Sequence, residues 1–254
     1  MQETTMTNDQ TNPASPAETN VRPDGGTDPR ARRRYEAVFF DLDGTLANTF
    51  PTVVRIFNQV LEKRTGRSWT LEELIPYFGP PETVILQRLF PEGDDAARMI
   101  EEFYQLCRED GAEIRPFEGI EPLVRRLHAS QVRLGVYSGA STEAARIRVD
   151  QAGLIDCFEE ILGGDRVERH KPDPEGLLHL LELFQVAPEG AVYVGDMVAD
   201  VLAGQRAGMA TVAVSWGAGT RDDLARLRPD YLVDHPAELE AILHGTLSSP
   251  METL

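Results

Sequence analysis

The sequence of 254 residues contains no apolar run long enough to cross a lipid bilayer. A transmembrane helix needs about 20 consecutive, mostly apolar residues, and no stretch of this chain approaches that length. Residues 1–20 also lack the basic flank and the apolar stretch of a secretory signal. We therefore expect a cytoplasmic protein that has no membrane partner.

Cysteine is also scarce, since Cys107 and Cys157 are the only two in the chain. They lie far apart in the sequence, and neither has a second cysteine at the spacing typical of a metal site. Because the sequence shows no export signal, we expect both to be reduced thiols rather than a disulfide.

Positive charge is in short supply as well. The chain carries 25 Lys and Arg against 42 Asp and Glu, which gives a formal net charge of -17. Such a surface repels phosphate backbones, so we expect no nucleic-acid partner. An enzyme of this composition that acts on an anionic substrate needs local cations in its site, and a divalent metal ion is the obvious source.

Three regions differ in their patterns. Residues 1–34 have almost no large apolar side chain and end in a cluster of arginines, so we predict a disordered N-terminal tail. Residues 35–49 and 119–254 show short strands alternating with helices, which is typical of a parallel sheet with helices on both faces. Residues 50–118 show only helical periodicity. The predicted fold is therefore α/β, a doubly wound, Rossmann-like parallel sheet with a helical cap domain inserted after the first strand.

The elements of the α/β domain follow from apolar runs and turn residues. The predicted strands are residues 37–40, 134–138, a short strand around 161, 191–194, 211–214 and 231–233. The predicted helices are residues 121–129, 142–152, 175–184, 198–207 and 237–243.

Polar residues gather where these strands end. In an open parallel sheet the ligand site lies beyond the carboxyl ends of the strands. Four of the residues there are carboxylates that would repel one another unless a cation lay between them. A lysine that precedes a later helix can reach the same edge. The residues that this rule selects are Asp41, Asp43, Ser138, Gly139, Lys171, Asp196 and Asp200.

Carboxylates around a hard cation, with a lysine and a hydroxyl nearby, indicate a phosphoryl-transfer site. We expect Asp41 to attack phosphorus as the nucleophile and to form an aspartyl phosphate. The side chain of Asp43 is placed to protonate the leaving group and then to deprotonate the attacking water. Ser138, Gly139 and Lys171 are predicted to bind the phosphoryl group of the substrate.

The same residues suggest a magnesium site. The predicted ligands of Mg²⁺ are the Asp41 side chain, the backbone carbonyl of Asp43 and the Asp196 side chain. Asp200 is predicted to lie behind these ligands and to orient either a metal-bound water or Lys171.

Four sequence motifs, in this order along the chain, resemble those of the haloacid dehalogenase superfamily. They are Asp-Leu-Asp-Gly-Thr at 41–45, the strand-ending Ser138, Lys171-Pro172, and Gly-Asp-Met-Val-Ala-Asp at 195–200. The helical insertion between the first two motifs matches as well, and the resemblance covers residues 36 to about 243. Within the superfamily the chain most resembles phosphoglycolate phosphatase-like members. The segments that carry this finer resemblance are residues 78–81, 215–217, 230–233 and 236–239.

The resemblance implies a Mg²⁺-dependent phosphatase for a small phosphorylated metabolite, with phosphoglycolate as the best single substrate. Superfamily members that cleave carbon–halogen bonds lack the second acidic residue, which is present here as Asp43. Members that cleave carbon–phosphorus bonds carry a Schiff-base lysine in the insertion, where Lys63 is the only lysine. Both of these reactions are therefore disfavoured.

Two alternatives remain open. A phosphomutase of the β-phosphoglucomutase type would use the same two aspartates and return the phosphoryl group to a sugar. A receiver-like signalling protein would also collect aspartates, a hydroxyl and a lysine around Mg²⁺, but its aspartyl phosphate must persist. Inorganic pyrophosphate, sugar phosphates and nucleoside monophosphates are further possible substrates, and the pattern allows a monomer or a homodimer. One of Arg55, Arg88, Arg98 and Arg108 in the insertion is a candidate for gripping a substrate carboxylate.

Overall fold

A computed structural model of the chain describes residues 35–90, 95–109 and 114–245. The predicted N-terminal tail, residues 1–34, lies outside the described residues. Within the described ranges, no helix has both the length and the apolar character needed to cross a bilayer. Cys107 and Cys157 are both buried, and neither is part of a disulfide.

Six parallel strands form one sheet in the order β3-β2-β1-β4-β5-β6. This confirms the predicted fold class. The strands are β1 (Ala37–Phe40), β2 (Arg133–Tyr137), β3 (Glu160–Leu162), β4 (Ala191–Gly195), β5 (Ala210–Val214) and β6 (Tyr231–Val233). From β1 the chain adds strands first on one side and then on the other, so the topological switch point lies between β1 and β4. Ligands bind at the carboxyl ends of the strands at such a point.

Helices cover both faces of this sheet, and every residue of β1 is buried because side chains alternate between the two faces. Val38 and Phe40 join a hydrophobic cluster with the helices of residues 120–129, 142–151 and 236–243. Ala37 and Phe39 join a second cluster with the helices of residues 175–184 and 198–206. The helices are α5 (Ile120–Ala129), α6 (Thr142–Gln151), α7 (Glu175–Phe184), α8 (Val198–Arg206), α9 (Arg221–Arg226) and α10 (Pro236–Leu243). The short helix α9 was not predicted from the sequence.

In the described residues, four α-helices precede α5 and share a hydrophobic cluster, to which α6 adds Ala144. They are α1 (Phe50–Thr65), α2 (Leu71–Leu74), α3 (Glu82–Leu89) and α4 (Asp95–Glu109). Phe57 of α1 contacts Phe103 of α4, with ring centroids 5.0 Å apart. Two antiparallel segments join this cap to the sheet domain, since the Asn48 N–H donates to the Arg115 carbonyl at 3.2 Å. The cap therefore has its own apolar core and lies over the carboxyl edge of the sheet.

Candidate active site

The turn that follows β1 places Asp41 at the switch point. The Asp41 N–H donates to the Val194 carbonyl of β4 at 2.8 Å, so the end of β1 is held against its neighbour. The chain then turns at Gly44, which has φ +97°. A Cβ at Gly44 would lie 2.5 Å from Oδ2 of Asp196, so only glycine lets the turn approach that carboxylate.

Asp196, at the end of β4, is completely buried and held from two sides. The Thr45 hydroxyl donates to its Oδ1 at 2.8 Å, and the Ala218 N–H donates to its Oδ2 at 2.7 Å. A Cβ at Gly217 would lie 2.2 Å from the same Oδ2. Two loops from opposite sides of the switch point therefore fix the orientation of one carboxylate.

Three buried carboxylates meet at this edge of the sheet. One oxygen from each of Asp41, Asp196 and Asp200 lies within 4.8 Å of the others. Asp41 and Asp196 belong to the predicted metal ligands, and Asp200 was predicted behind them. The metal role predicted for Asp43 uses its backbone carbonyl and so does not depend on the direction of its side chain.

Burial and the crowding of negative charge shift the pKa values of these groups. Burial, with the charge of Asp200 as the next cause, raises the pKa of Asp196 to about 7. Burial also raises the pKa of Asp41 well above its ordinary value; the Lys171 ammonium opposes this, while Asp200, Asp196 and Asp43 add to it. Oxygen ligands with excess negative charge are the donor set that a hard divalent cation such as Mg²⁺ prefers. The residues present therefore fit a magnesium ion, with Asp41, Asp196 and Asp200 as its available carboxylates.

Lys171 provides the positive charge beside these carboxylates. Its Nζ lies 2.6 Å from Oδ1 of Asp41, 2.7 Å from Oδ1 of Asp200 and 3.1 Å from the Tyr193 hydroxyl. Burial on its own lowers the pKa of Lys171, but the carboxylates of Asp200 and Asp41 outweigh it and raise the pKa well above its ordinary value. The lysine therefore stays protonated and can face an anionic phosphoryl group.

The Asp43 side chain points away from the three carboxylates. Its Oδ1 accepts a hydrogen bond from the Thr49 hydroxyl at 2.5 Å, and its Oδ2 accepts one from the Ser138 hydroxyl at 3.2 Å. Arg148 Nη1 lies 3.0 Å from Oδ1 and 3.1 Å from Oδ2. Asp43 is thus held in a second polar cluster, on the side of the site that faces the cap.

Ser138 and Gly139 follow β2, as predicted. Ser138 is completely buried, and its Oγ accepts a hydrogen bond from the Ala140 N–H at 3.1 Å. Gly139 lies directly below the cap, because a Cβ there would be 2.8 Å from the carbonyl oxygen of Gly79. The seven residues selected from the sequence therefore share one end of the sheet, in two groups centred on Asp41 and Asp43.

A cavity of about 180 Å³ lies between these residues and the cap. Asp41, Asp43, Gly139, Lys171 and Asp200 line its floor. Its roof is mainly apolar and is built from Phe50, Val53, Phe57, Phe78, Pro80 and Ile85. Cavities for drug-sized ligands measure about 300–1,000 Å³, so this one suits a small metabolite.

Three polar residues of the site were missed by the sequence reasoning. Tyr193 faces Lys171 from inside β4, Glu82 of α3 is 3% exposed, and Arg148 of α6 is 4% exposed. Oε2 of Glu82 accepts a hydrogen bond from the Ser141 N–H at 3.1 Å, which ties the cap to the sheet domain. Arg148 did leave a signal, because it falls four residues after the buried Ala144 on the apolar face of its helix. None of the four arginines named from the insertion lines the cavity.

Comparison with known proteins agrees with this geometry. The family model of the haloacid dehalogenase-like hydrolases matches residues 38–214. The chain belongs to the haloacid dehalogenase-like hydrolases. The resemblance found in the sequence is thereby confirmed at the level of the family.

The match with this haloacid dehalogenase-like hydrolase spans nearly the whole length of each relative. The pyrophosphatase PpaX of Listeria welshimeri is 30% identical over 211 residues, which are 83% of this chain and 97% of the relative. A predicted phosphoglycolate phosphatase from Haemophilus somnus has the same fold, with a TM-score of 0.74, 24% identity, and coverage of 86% of this chain and 99% of the other. CbbY from Rhodobacter sphaeroides, solved with xylulose-1,5-bisphosphate, has a TM-score of 0.70, 26% identity, and coverage of 81% and 96%.

Proposed function

We propose that this hydrolase is a Mg²⁺-dependent phosphatase that transfers the phosphoryl group of a small metabolite to Asp41 and then to water. The observation that carries the proposal is the group of three buried carboxylates around Lys171 at the switch point. Such a group has little use as a structural core, because three buried carboxylates share one lysine and excess buried negative charge destabilises a fold. It is suited to a reaction in which a cation and an anionic substrate enter together.

The chemistry divides into two displacements. In the first, an oxygen of Asp41 forms a bond to phosphorus while the bond to the leaving oxygen breaks, and Asp43 gives that oxygen a proton. In the second, water attacks the aspartyl phosphate, Asp43 takes up a proton, and Asp41 is released with inorganic phosphate. Mg²⁺ bound by the carboxylate cluster would offset the charge repulsion between Asp41 and the phosphoryl oxygens.

The other residues of the site hold the phosphoryl group in place. Lys171 is buried and charged, and it already lies 2.6 Å from the attacking carboxylate, so it can bind a phosphoryl oxygen next to Asp41. The Ser138 hydroxyl is within hydrogen-bond distance of Asp43, which places it beside both the acid and the phosphoryl position. The apolar roof excludes water, which strengthens each of these charged contacts.

The volume of the cavity and the names of the relatives together indicate the class of substrate. A cavity of about 180 Å³ suits a compact phosphate compound rather than a polymer. Relatives at 30% identity are named as pyrophosphatases, and a fold neighbour is named as a phosphoglycolate phosphatase. We therefore propose 2-phosphoglycolate and inorganic pyrophosphate as the two leading substrates.

Phosphate release from a panel of small phosphate compounds with Mg²⁺ tests this function. The panel contains 2-phosphoglycolate, pyrophosphate, a hexose phosphate and a nucleoside monophosphate. We expect release by the wild type, no release by Asp41→Asn, and wild-type rates for Asp150→Asn, which changes an exposed residue of α6. Isomerisation of a sugar phosphate without release would instead identify a phosphomutase. A phosphoprotein that persists after treatment with acetyl phosphate would identify a receiver.

A further inference from the structure

Arg148 is a buried cation whose position the reaction outlined above does not explain. Arg148 is 4% exposed, lines the cavity, and faces Asp43 through Nη1. A guanidinium carries five N–H donors. Nη1 donates to both oxygens of Asp43, and the Cys107 thiol is a further contact of the guanidinium. These contacts use fewer than its five donors, so donors remain for a molecule that enters the cavity.

The position of Arg148 relative to Asp43 indicates which part of the substrate the guanidinium would contact. Asp43 is the residue proposed to protonate the leaving oxygen, so the leaving group must approach its carboxylate. Arg148 Nη1 lies 3.0 Å from that carboxylate. The guanidinium thus lies beside the residue that meets the leaving group.

The distribution of basic residues in the cavity supports the same orientation of the substrate. Among the described residues, Lys171 and Arg148 are the basic side chains that line it. Lys171 is engaged by Asp41 and Asp200, where the transferred phosphoryl group would bind. The remaining lining is largely apolar and includes Phe50, Val53 and Ile85, but it also contains the carboxylate of Glu82, whose charge acts on Arg148. A second anion in a substrate would therefore have Arg148 as its partner in the cavity.

We propose that Arg148 binds an anionic group on the leaving portion of the substrate and so selects substrates with a second phosphate or a carboxylate. The proposal rests on the proposed phosphatase function and deepens it, because it names the chemical class of the leaving group. A guanidinium suits this role because it can bind phosphate or carboxylate oxygens through two parallel hydrogen bonds. It can also keep one donor on Asp43 while doing so.

A purely structural role makes a different prediction. If Arg148 only fixes the side chain of Asp43, its loss would impair every substrate equally and would act on kcat. If it binds an anion of the substrate, its loss would mainly raise KM, and only for substrates that carry that anion. The two roles are therefore separable with substrates that differ in one group.

The matched substrates are 2-phosphoglycolate, which carries a carboxylate, and 2-hydroxyethyl phosphate, which carries a hydroxyl at the same place. For Arg148→Met we expect the ratio of their kcat/KM values to fall by about 30-fold or more, the size typical of a buried charged hydrogen bond. Arg148→Lys keeps one charge without the paired donors, so we expect a fall of about tenfold. Arg146→Met, on the exposed side of the same helix, should leave the ratio unchanged. An unchanged ratio in both Arg148 variants would overturn the proposal.

Binding provides a second test that needs no turnover. Calorimetry compares methylenediphosphonate, which has two anionic groups, with methylphosphonate, which has one. We expect the wild type to bind the diphosphonate more tightly and Arg148→Met to lose that preference. If the methionine variant does not fold, the same comparison is made with Arg148→Lys. If the wild type hydrolyses nothing, the phosphatase function fails, yet loss of this preference would still support anion binding by Arg148. Equal preference in wild type and variants would overturn it.

Discussion

Removal of Mg²⁺ is expected to make the protein lose stability as the pH rises from acidic to mildly alkaline values. Asp196 is the source of this effect, because burial and the neighbouring Asp200 raise its pKa from 3.8 to about 7. Between these two values the folded protein keeps a proton that the unfolded chain has released. The free energy of unfolding therefore falls as the pH rises through this interval, and the full loss is present above about pH 7.

The size of the loss follows from the same interval. At about 1.4 kcal/mol for each pH unit, the difference between 3.8 and about 7 corresponds to about 4 kcal/mol. The raised pKa of Asp41 acts in the same direction. A divalent cation that binds the ionised carboxylates reverses this loss, and it binds more tightly at high pH because it no longer competes with a proton.

The assay is thermal or urea unfolding with excess Mg²⁺ and with a chelator, at about pH 5.5 and about pH 8. We expect the stabilisation by Mg²⁺ to be larger at the higher pH. Asp196→Asn should lose most of this pH dependence, and its amide fits because the Thr45 hydroxyl can accept a hydrogen bond from it. Asp150→Asn, an exposed change, should keep the wild-type dependence. Equal stabilisation by Mg²⁺ at both pH values would refute the reasoning.

Two further substitutions test the geometry around the carboxylates. Gly44→Ala should cost about 3 kcal/mol of unfolding free energy and weaken Mg²⁺ binding, because the new Cβ would lie 2.5 Å from Oδ2 of Asp196. The matched control is Gly66→Ala, since Gly66 has φ +67° but open space where a Cβ would lie. Urea unfolding should show a loss of about 1 kcal/mol for this control. Equal losses for the two variants would contradict a role for the contact between residue 44 and Asp196. Tyr193→Phe removes a hydroxyl 3.1 Å from Nζ of Lys171, and we expect kcat to fall about tenfold. The same hydroxyl is within hydrogen-bond distance of the Tyr137 carbonyl and of Asp200, so the free energy of unfolding should fall by about 1 kcal/mol. An unchanged kcat would show that this hydroxyl does not position the lysine.

The sheet and its edge were predictable because their signals are local. A buried parallel strand appears as a short apolar run, as residues 37–40 do, and the rule about carboxyl ends then selects the residues that follow each strand. The sequence pattern therefore predicts that Asp41, Lys171 and Asp200 lie at one edge of the sheet, and Lys171 contacts both carboxylates there. The helix α9 was missed because it has six residues, is mainly polar, and buries only Leu224.

The second polar group of the site could not be predicted in the same way. Asp43 and Arg148 are 105 positions apart, and their contact depends on how α6 packs beside the first turn. In the sequence Arg148 is one charged residue on a helix, and such residues are usually solvated. The roof of the cavity also depends on how the cap lies over the sheet, which helical periodicity does not define.

The central claim is that Asp41 accepts the phosphoryl group, and chemical trapping tests it most directly. The protein is mixed with Mg²⁺ and radiolabelled acetyl phosphate, quenched in acid, digested and analysed by mass spectrometry. Asp43→Asn is the variant of choice, because loss of the proposed base should slow hydrolysis and let the intermediate accumulate. We expect the label on the peptide that contains Asp41, and no label when Asp41→Asn is added to that variant. Phosphate release without any label on Asp41, or label on another residue, would contradict the account.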